Sequence, residues 1–280
     1  MTPGINALNS DWLIPDWPAP AGVRAVFTTR AGGVSAVPYD CMNLGDHVGD
    51  QPGRVDANRT LLQRATGSRA VFLSQVHGSD VLELGAATPD GQQADACVTV
   101  QRKLACTVMV ADCLPVLLTT EMGDVVAAAH AGWRGLVGTG GEAGKGILAS
   151  VYESFMALAQ AGREKSAIKT IAWLGPCIGP SAFEVGPEVK AAFEAVMPEA
   201  GRLFVESGEK GKGKYLANLP ALARLRLQAL GITQVYGNDG SAPWCTVSNP
   251  SRFFSHRRDA GVSGNGFGTT GRMAACIWLD

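Results

Sequence analysis

The stretch TVMVADCLPVLLTTEMGDVVAAAHAGW, residues 107–133, carries three short apolar runs separated by polar turns. The runs lie at 107–111, 116–118 and 125–129. Each run is apolar at consecutive positions, which is typical of strands buried on both faces. The stretch therefore predicts three strands in the interior of a layered protein.

Similar patterns extend to both ends of the chain. Further strands are predicted at 23–29, 71–73, 81–84, 96–100, 168–174 and 273–279, and helices at 55–65 (ending before Gly67), at 142–161, from Pro187 onward and at 219–230 (ending at Gly231). Because helices interrupt the strands irregularly, the order favours an α+β fold, a single layered domain of mixed β-sheets flanked by helices. We expect one catalytic domain over residues 1–280, with a peripheral segment at 1–20 and surface loops at 207–214 and 260–268.

The charge balance bears on the class of partner. Among 280 residues, 24 Lys and Arg face 25 Asp and Glu, so no basic excess favours nucleic-acid binding. No segment reaches the ~18 apolar residues of a membrane span. The N-terminus resembles no secretory signal, and the seven scattered cysteines form no CxxC pair. We expect a monomer in the cytoplasm that acts on a small molecule, with no nucleic-acid or membrane partner.

Three reactive side chains follow apolar runs: His77, Cys113 and His130. One thiolate and two imidazoles can hold zinc with the fourth tetrahedral position open, which is the pattern of catalytic zinc sites. Gly78 and Gly132 would leave room for metal and substrate. From residue types alone the alternative stays open, in which each histidine bonds nearby backbone and the cysteine is a buried thiol.

These residues lie in motifs that resemble those of the purine nucleoside phosphorylase/laccase-domain family, formerly called the multicopper polyphenol oxidase family, which includes peptidoglycan editing factors. The matching segments are QVHG at 75–78, ADCLPV at 111–116, HAGWRG at 130–135, LGPCIGP at 174–180, TTR at 28–30, GGVS at 32–35, MNLG at 42–45, FFSHRRD at 253–259 and TGRMA at 270–274. The resemblance covers about residues 24 to 279. One departure is the segment 260–268, which is longer than expected of the family and resembles a loop insertion.

The resemblance implies that His77, Cys113 and His130 bind Zn²⁺, with Cu²⁺ as an alternative occupant because copper exceeds zinc in affinity for such ligands. It also implies phosphorolysis of adenosine, inosine, guanosine and methylthioadenosine, together with adenosine deamination. A second function stays open, in which the protein is an amidase that removes a wrong amino acid from a muramyl nucleotide. A multicopper laccase needs more imidazoles than the chain's four histidines supply.

Several further residues are candidates for the site. Asp112, beside Cys113, could orient a ligand histidine or serve as general acid or base, although its side chain could equally face away. Arg30, beside paired glycines, and Asn43 could hold phosphate. The other candidates for substrate contact are Gln75, Arg134 and Arg258; His256 is expected to be structural, and Cys177, Cys245 and Cys276 to belong to the core.

Overall fold

Two mixed β-sheets packed face to face form the centre of the protein, as seen in a computed structural model that describes residues 9–138, 144–160, 164, 168–208, 213–259 and 269–280. In spatial order, the four-stranded sheet contains β1 (Val23–Phe27), β13 (Met273–Leu279), β5 (Leu104–Val110) and β2 (Arg69–Val71). The six-stranded sheet contains β12 (Gln234–Gly237), β8 (Thr170–Leu174), β6 (Leu114–Thr120), β7 (Val126–Ala131), β4 (Ala96–Thr99) and β3 (Val81–Glu83). A small antiparallel sheet contains β10 (Phe204–Glu206), β11 (Tyr215–Ala217) and β9 (Glu184–Val185).

Helices cover the outer faces of the two large sheets. They are α1 (Pro52–Thr66), α2 (Trp133–Val137), α3 (Ile147–Ala159), α4 (Pro187–Val196) and α5 (Leu219–Ala229). The short helix α6 (His256–Asp259) buries none of its residues. Leu62 of α1 packs on the four-stranded sheet with Phe72 and Met109. Buried residues of α2 to α5 pack instead on the six-stranded sheet. The predicted α+β fold of mixed sheets flanked by helices is confirmed.

The central strands are apolar at consecutive positions because each separates two cores. In β6, Leu117 lies in the core between the sheets, whereas Val116 and Leu118 pack against the helices. In β7, Ala128 lies in the core between the sheets, and Ala129 packs against the helices. Side chains alternate across a strand, so burial on both faces requires apolar residues throughout.

Glycines end two helices where the sequence predicts it. Gly67 follows α1 in the left-handed conformation, with φ of 65°, and its N–H donates to the carbonyl of Gln63. Gly231, with φ of 83°, lies just beyond α5. Both φ values cost glycine little because it has no Cβ.

The structure corrects the predicted approach to His77. The strand before it, β2, covers Arg69–Val71 rather than the predicted 71–73, so His77 lies in a loop well beyond the strand end. The three-stranded sheet was not predicted, because its strands are two or three residues long and half exposed. Two loops were predicted, at 207–214 and at 260–268. Of the first, residues 209–212 lie outside the described residues, and the whole of the second does too.

The chain is tied to the core from its first described residues. Trp12 is buried against the four-stranded sheet, and Leu13 exchanges backbone hydrogen bonds with Phe27. Across the part of the chain that the structure describes, no helix combines the length and the apolar character needed to cross a bilayer.

Candidate metal centre and its cavity

His77, Cys113 and His130 converge on one point. Their ligand atoms all lie within 4.8 Å of one another, and the Cys113 Sγ is 3.7 Å from the His77 Nε2. Around a tetrahedral zinc ion, with Zn–S of ~2.3 Å and Zn–N of ~2.0–2.1 Å, sulfur and nitrogen ligands lie ~3.6 Å apart. The spacing of these side chains therefore fits a bound metal ion.

Each ligand comes from a different part of the sandwich. His77 lies in the loop after β2, Cys113 in the turn that carries the chain from β5 in one sheet to β6 in the other, and His130 on β7. His77 and the neighbouring Asp112 have positive φ values of 61° and 87°. Such left-handed conformations are uncommon for residues other than glycine and concentrate at functional sites.

Gly132 provides space beside the ligands. A Cβ atom at this position would lie 2.9 Å from the His77 Cδ2 and 3.0 Å from the Cys113 Sγ. Both distances are shorter than a van der Waals contact, so any side chain here would displace a ligand. The space expected beside His130 is therefore present. Gly78 is less restrictive, since its Cβ would be 3.4 Å from the nearest atom.

Asp95 positions two of the ligands. One carboxylate oxygen lies 2.8 Å from the His130 Nδ1, which leaves the Nε2 of that ring for a metal. The same carboxylate accepts backbone N–H bonds from Val76, His77 and Gly78 at 2.7–3.1 Å. Sequence reasoning missed Asp95; the one signal available was a carboxylate directly before the predicted strand at 96–100.

The polar groups of the centre shift one another's pKa values. Burial raises the pKa of the Cys113 thiol, but the charge of His130 and hydrogen bonds from both histidines outweigh it and lower that pKa to about 6. Burial lowers the pKa of His130, but Cys113 and Asp95 raise it to about 9. Burial also opposes the ionisation of Asp95, yet His130 and the backbone N–H donors keep its pKa below the usual value. The protein thus stabilises a thiolate, which is the form that binds metals.

A cavity of about 320 Å³ opens onto the ligands. All four histidines of the chain line it, although they are far apart in sequence. Apolar side chains form part of its wall: Met109, Trp133, Ile178, Phe183 and Leu219. Its size and mixed lining are those of a site for a small organic molecule.

Two of the predicted site residues line the cavity with their polar groups already bonded. The Gln75 amide pairs with both backbone groups of Met109, at 2.8 and 2.7 Å. The Asp112 carboxylate accepts hydrogen bonds from the Thr246 hydroxyl at 2.5 Å and from the Arg257 backbone at 2.6 Å. Asp112 therefore holds the chain around Arg257, and Asp95 takes the role of orienting a ligand histidine.

Arg30 and Asn43 are placed differently from the expected phosphate site. All three side-chain nitrogens of Arg30 donate to Asp40 or to the carbonyl of Pro250, so this guanidinium closes a turn. Asn43 is fully buried, and its amide bonds Gly45, Asp50 and the backbone of Arg272. Neither side chain lines the cavity.

The other residues singled out in the sequence have varied surroundings. Arg134 stacks on Trp133, and Arg258 pairs with Asp259 and with the carbonyls of Thr246 and Phe253. Cys177, Cys245 and Cys276 are buried, as expected. His256 was expected to be structural, but it is exposed and lines the cavity. Sequence reasoning also missed three other polar lining residues: His47, Arg257 and Arg272.

Comparisons with known proteins agree over nearly the whole chain. Residues 24–280 match the family described as multi-copper polyphenol oxidoreductase laccase. The purine nucleoside phosphorylase YfiH of Escherichia coli is 44% identical over 272 residues, covering 96% of this chain and 99% of that protein. The purine nucleoside phosphorylase PA4543 of Pseudomonas aeruginosa is 45% identical over 270 residues, with 96% and 98% covered.

Solved structures share the fold. The crystal structure of protein NMB0706 from Neisseria meningitidis matches with a TM-score of 0.82 and 43% identity, covering 97% of this chain and 100% of that one. The structure of YlmD from Geobacillus stearothermophilus matches with a TM-score of 0.75 and 29% identity, with 92% of each chain covered.

Proposed function

The chain belongs to the multi-copper polyphenol oxidoreductase laccase family, and on that premise we propose that it is a zinc-dependent purine nucleoside enzyme. It would split adenosine, inosine, guanosine and methylthioadenosine by phosphorolysis and would also deaminate adenosine. The names of its curated relatives support the phosphorolysis. The observation that carries the proposal is the group of three metal-binding side chains, His77, Cys113 and His130, at a cavity sized for a small molecule.

The donor set favours a single catalytic metal. Two imidazoles and one thiolate suit zinc and leave one tetrahedral position for water or substrate. When bound, zinc supplies a Lewis acid that polarises a substrate group and makes water more acidic. A copper ion could occupy the same ligands.

The described residues hold too few histidines to bind the copper cluster of a multicopper oxidase. All four histidines lie among the described residues, and His77 and His130 belong to the one group of three metal-binding side chains found there. His47 and His256 alone cannot supply a further three-copper cluster, which requires about two imidazoles per copper. Polyphenol oxidation is therefore the weaker candidate activity.

The chain's own residues have defined tasks in this proposal. Asp95 keeps His130 in one orientation and holds the loop that carries His77. The aromatic and aliphatic wall, including Trp133 and Phe183, would take the flat purine base. In phosphorolysis, a phosphate oxygen bonds to C1′ of the ribose as the bond from C1′ to the base breaks. The base leaves with that electron pair and takes up a proton.

Product analysis tests the proposal. Purified protein is given adenosine with phosphate, a muramyl-serine nucleotide, or a phenol with copper, in parallel assays. We expect adenine with ribose 1-phosphate, and inosine or hypoxanthine. Release of serine without any purine product would overturn the nucleoside function in favour of the amidase.

Replacement of one ligand tests the metal site. Cys113→Ala should abolish both bound zinc and purine products, measured by elemental analysis and chromatography. Cys245→Ala is the control, because Cys245 is a buried free cysteine outside the ligand group. Retention of metal and activity in Cys113→Ala would exclude the site.

A further inference from the structure

The TGR motif at 270–272 places the cation of Arg272 in the cavity wall. The Arg272 side chain is half-buried, and its Nη1 donates to the carbonyls of Thr270 and Gly271 at 3.0 and 3.3 Å. Among the described residues, no carboxylate forms an ion pair with it, and its Nε and Nη2 have no hydrogen-bond acceptor. Burial of an unpaired charge costs free energy, which an anionic ligand would recover.

A separate motif, MNLG at 42–45, fixes Arg272 in place. The Asn43 side chain accepts the backbone N–H of Arg272 at 2.9 Å, and the backbone N–H of Leu44 donates to the Arg272 carbonyl at 3.0 Å. A Cβ at Gly45 would lie 2.7 Å from the Arg272 Cγ, so glycine leaves the path of this side chain open. The guanidinium is therefore held in advance, which lowers the entropy lost on binding.

The charges around the cavity favour an anion. Arg272 and Arg257 both line it, against the Cys113 thiolate, which belongs to the ligand group, and one carboxylate, Asp112, whose two oxygens are already hydrogen-bonded. His47 also lines the cavity. Burial and then the charge of Arg272 lower the pKa of His47, so its ring is neutral near pH 7 without a ligand. The His47 Nδ1 lies 3.5 Å from a carboxylate oxygen of Asp46, which can accept the one N–H of the neutral ring.

We propose that Arg272 and His47 form a binding site for a phosphate oxyanion in the cavity that also holds His77, Cys113 and His130. The free edge of the guanidinium would donate two parallel hydrogen bonds to phosphate oxygens. A bound anion also favours the protonated form of His47, whose two N–H groups can serve Asp46 and the phosphate together. The inference rests on the proposed function, in which inorganic phosphate is a substrate, and transfers the task expected of Arg30 and Asn43 to Arg272.

Kinetics of one variant separate phosphate binding from the rest of the site. Arg272→Met should raise the KM for inorganic phosphate in phosphorolysis by ~10–100-fold. Arg272 is outside the ligand group, so the bound zinc should stay unchanged. Adenosine deamination consumes no phosphate, so its kcat/KM should change far less than the phosphate KM does. Arg252→Met is the matched control, since Arg252 is an exposed arginine outside this cavity.

Direct titration provides a readout independent of turnover. Calorimetry with inorganic phosphate should show saturable binding to the wild-type protein and to Arg252→Met, and ~10–100-fold weaker binding to Arg272→Met. Arg272→Lys keeps the charge but loses the planar fork, so its affinity should be intermediate. If the thermal unfolding curve shows that Arg272→Met does not fold, the same titration is made with a second variant, His47→Ala, which should also bind phosphate more weakly than the wild type.

The outcomes distinguish this inference from the proposed function. Phosphorolysis with an unchanged phosphate KM in Arg272→Met would overturn the site while leaving the activity intact. Absence of both phosphate binding and phosphorolysis in the wild type would overturn free phosphate as the ligand. If a muramyl nucleotide then bound in a manner that depended on Arg272, the oxyanion site would stand, with the phosphate belonging to the substrate.

Discussion

Asp95 connects two ligands of the metal centre through a single buried carboxylate. It fixes the ring of His130 and accepts the backbone N–H bonds of the loop at 76–78. Asp95→Asn removes the charge and replaces one acceptor oxygen by an NH2 group, which must then face either the His130 ring or the backbone N–H groups of the loop. Because partners behind the ligands tune a metal site, zinc affinity should fall by ~10–100-fold, measured by competition with a chelator.

The control for Asp95→Asn is Asp80→Asn, a nearby exposed carboxylate outside the ligand group. Zinc affinity should stay unchanged in that variant. Equal zinc affinities in Asp95→Asn and the wild type would show that His130 holds its orientation without Asp95.

Gly132 sets the space available to the ligands. In Gly132→Ala, the new methyl group would lie about 3 Å from both His77 and Cys113. One of them must move, and we expect zinc affinity to fall by ~10-fold or more, again by chelator competition. Gly53→Ala is the control, because no atom lies within 4 Å of a Cβ there. A full-affinity Gly132→Ala protein would contradict the crowding argument.

At the residue scale, the sequence indicated the candidate metal ligands more readily than the hydrogen-bond partners of each side chain. His77, Cys113 and His130 were found because their types and motifs are distinctive. Arg30 was misplaced because a guanidinium beside glycines binds either phosphate or carbonyl groups, and the carbonyl of Pro250 is distant in sequence. Asp95 was missed for the same reason, since only the folded chain brings it to His130.

At the element scale, Asp259 links the end of α6 to the start of the last strand. Its carboxylate accepts bonds from the Ser255 backbone, the Thr270 hydroxyl and the Arg258 guanidinium. Burial raises the pKa of Asp259, but these bonds outweigh it and hold the pKa below 3.8. Ionised Asp259 therefore stabilises the fold above its unfolded pKa of ~3.9, and this stabilisation is lost as the pH falls through the lower, folded pKa.

Asp259→Asn should accordingly lower the free energy of unfolding by about 1–3 kcal/mol at pH 7. The difference from the wild type should shrink below pH 4, since the wild-type carboxyl then becomes protonated. Urea unfolding over a range of pH measures both effects. Asp16→Asn, at an exposed position, should unfold like the wild type at every pH. A pH-independent difference would mean that the charge of Asp259 is not what stabilises the segment.

Elements buried on both faces were the most predictable. The runs that became β5, β6 and β7 are apolar throughout because cores lie on both sides of each strand. The short strand β9 has a half-buried residue at Glu184, so its pattern does not differ from that of a loop. The strand predicted at 71–73 ends at Val71 instead, and apolar Val76 is half exposed in a loop held by Asp95.

At the scale of the whole molecule, the candidate metal centre draws its side chains from both sheets. Cys113 lies where the chain crosses from one sheet to the other, His77 follows a strand of the four-stranded sheet, and His130 belongs to the six-stranded sheet. The layered class was predictable from composition and periodicity. The face-to-face pairing of the sheets was not, because it depends on contacts between distant strands such as β5 and β7.

A metal ion bound by ligands from both sheets should stabilise the native state as a whole. A ligand present at 1,000 times its Kd adds ~4 kcal/mol, so removal of zinc by a chelator should lower the Tm by on the order of 10 °C. His130→Ala should abolish this difference between zinc-loaded and chelated protein, because it removes a ligand from one sheet. Cys245→Ala, a buried thiol outside the ligand group, should keep the difference even if its own Tm is lower. Calorimetric scans of the three proteins, each with and without chelator, measure these Tm values. A wild-type Tm that does not change with the chelator would mean that the apolar core between the sheets holds them together alone.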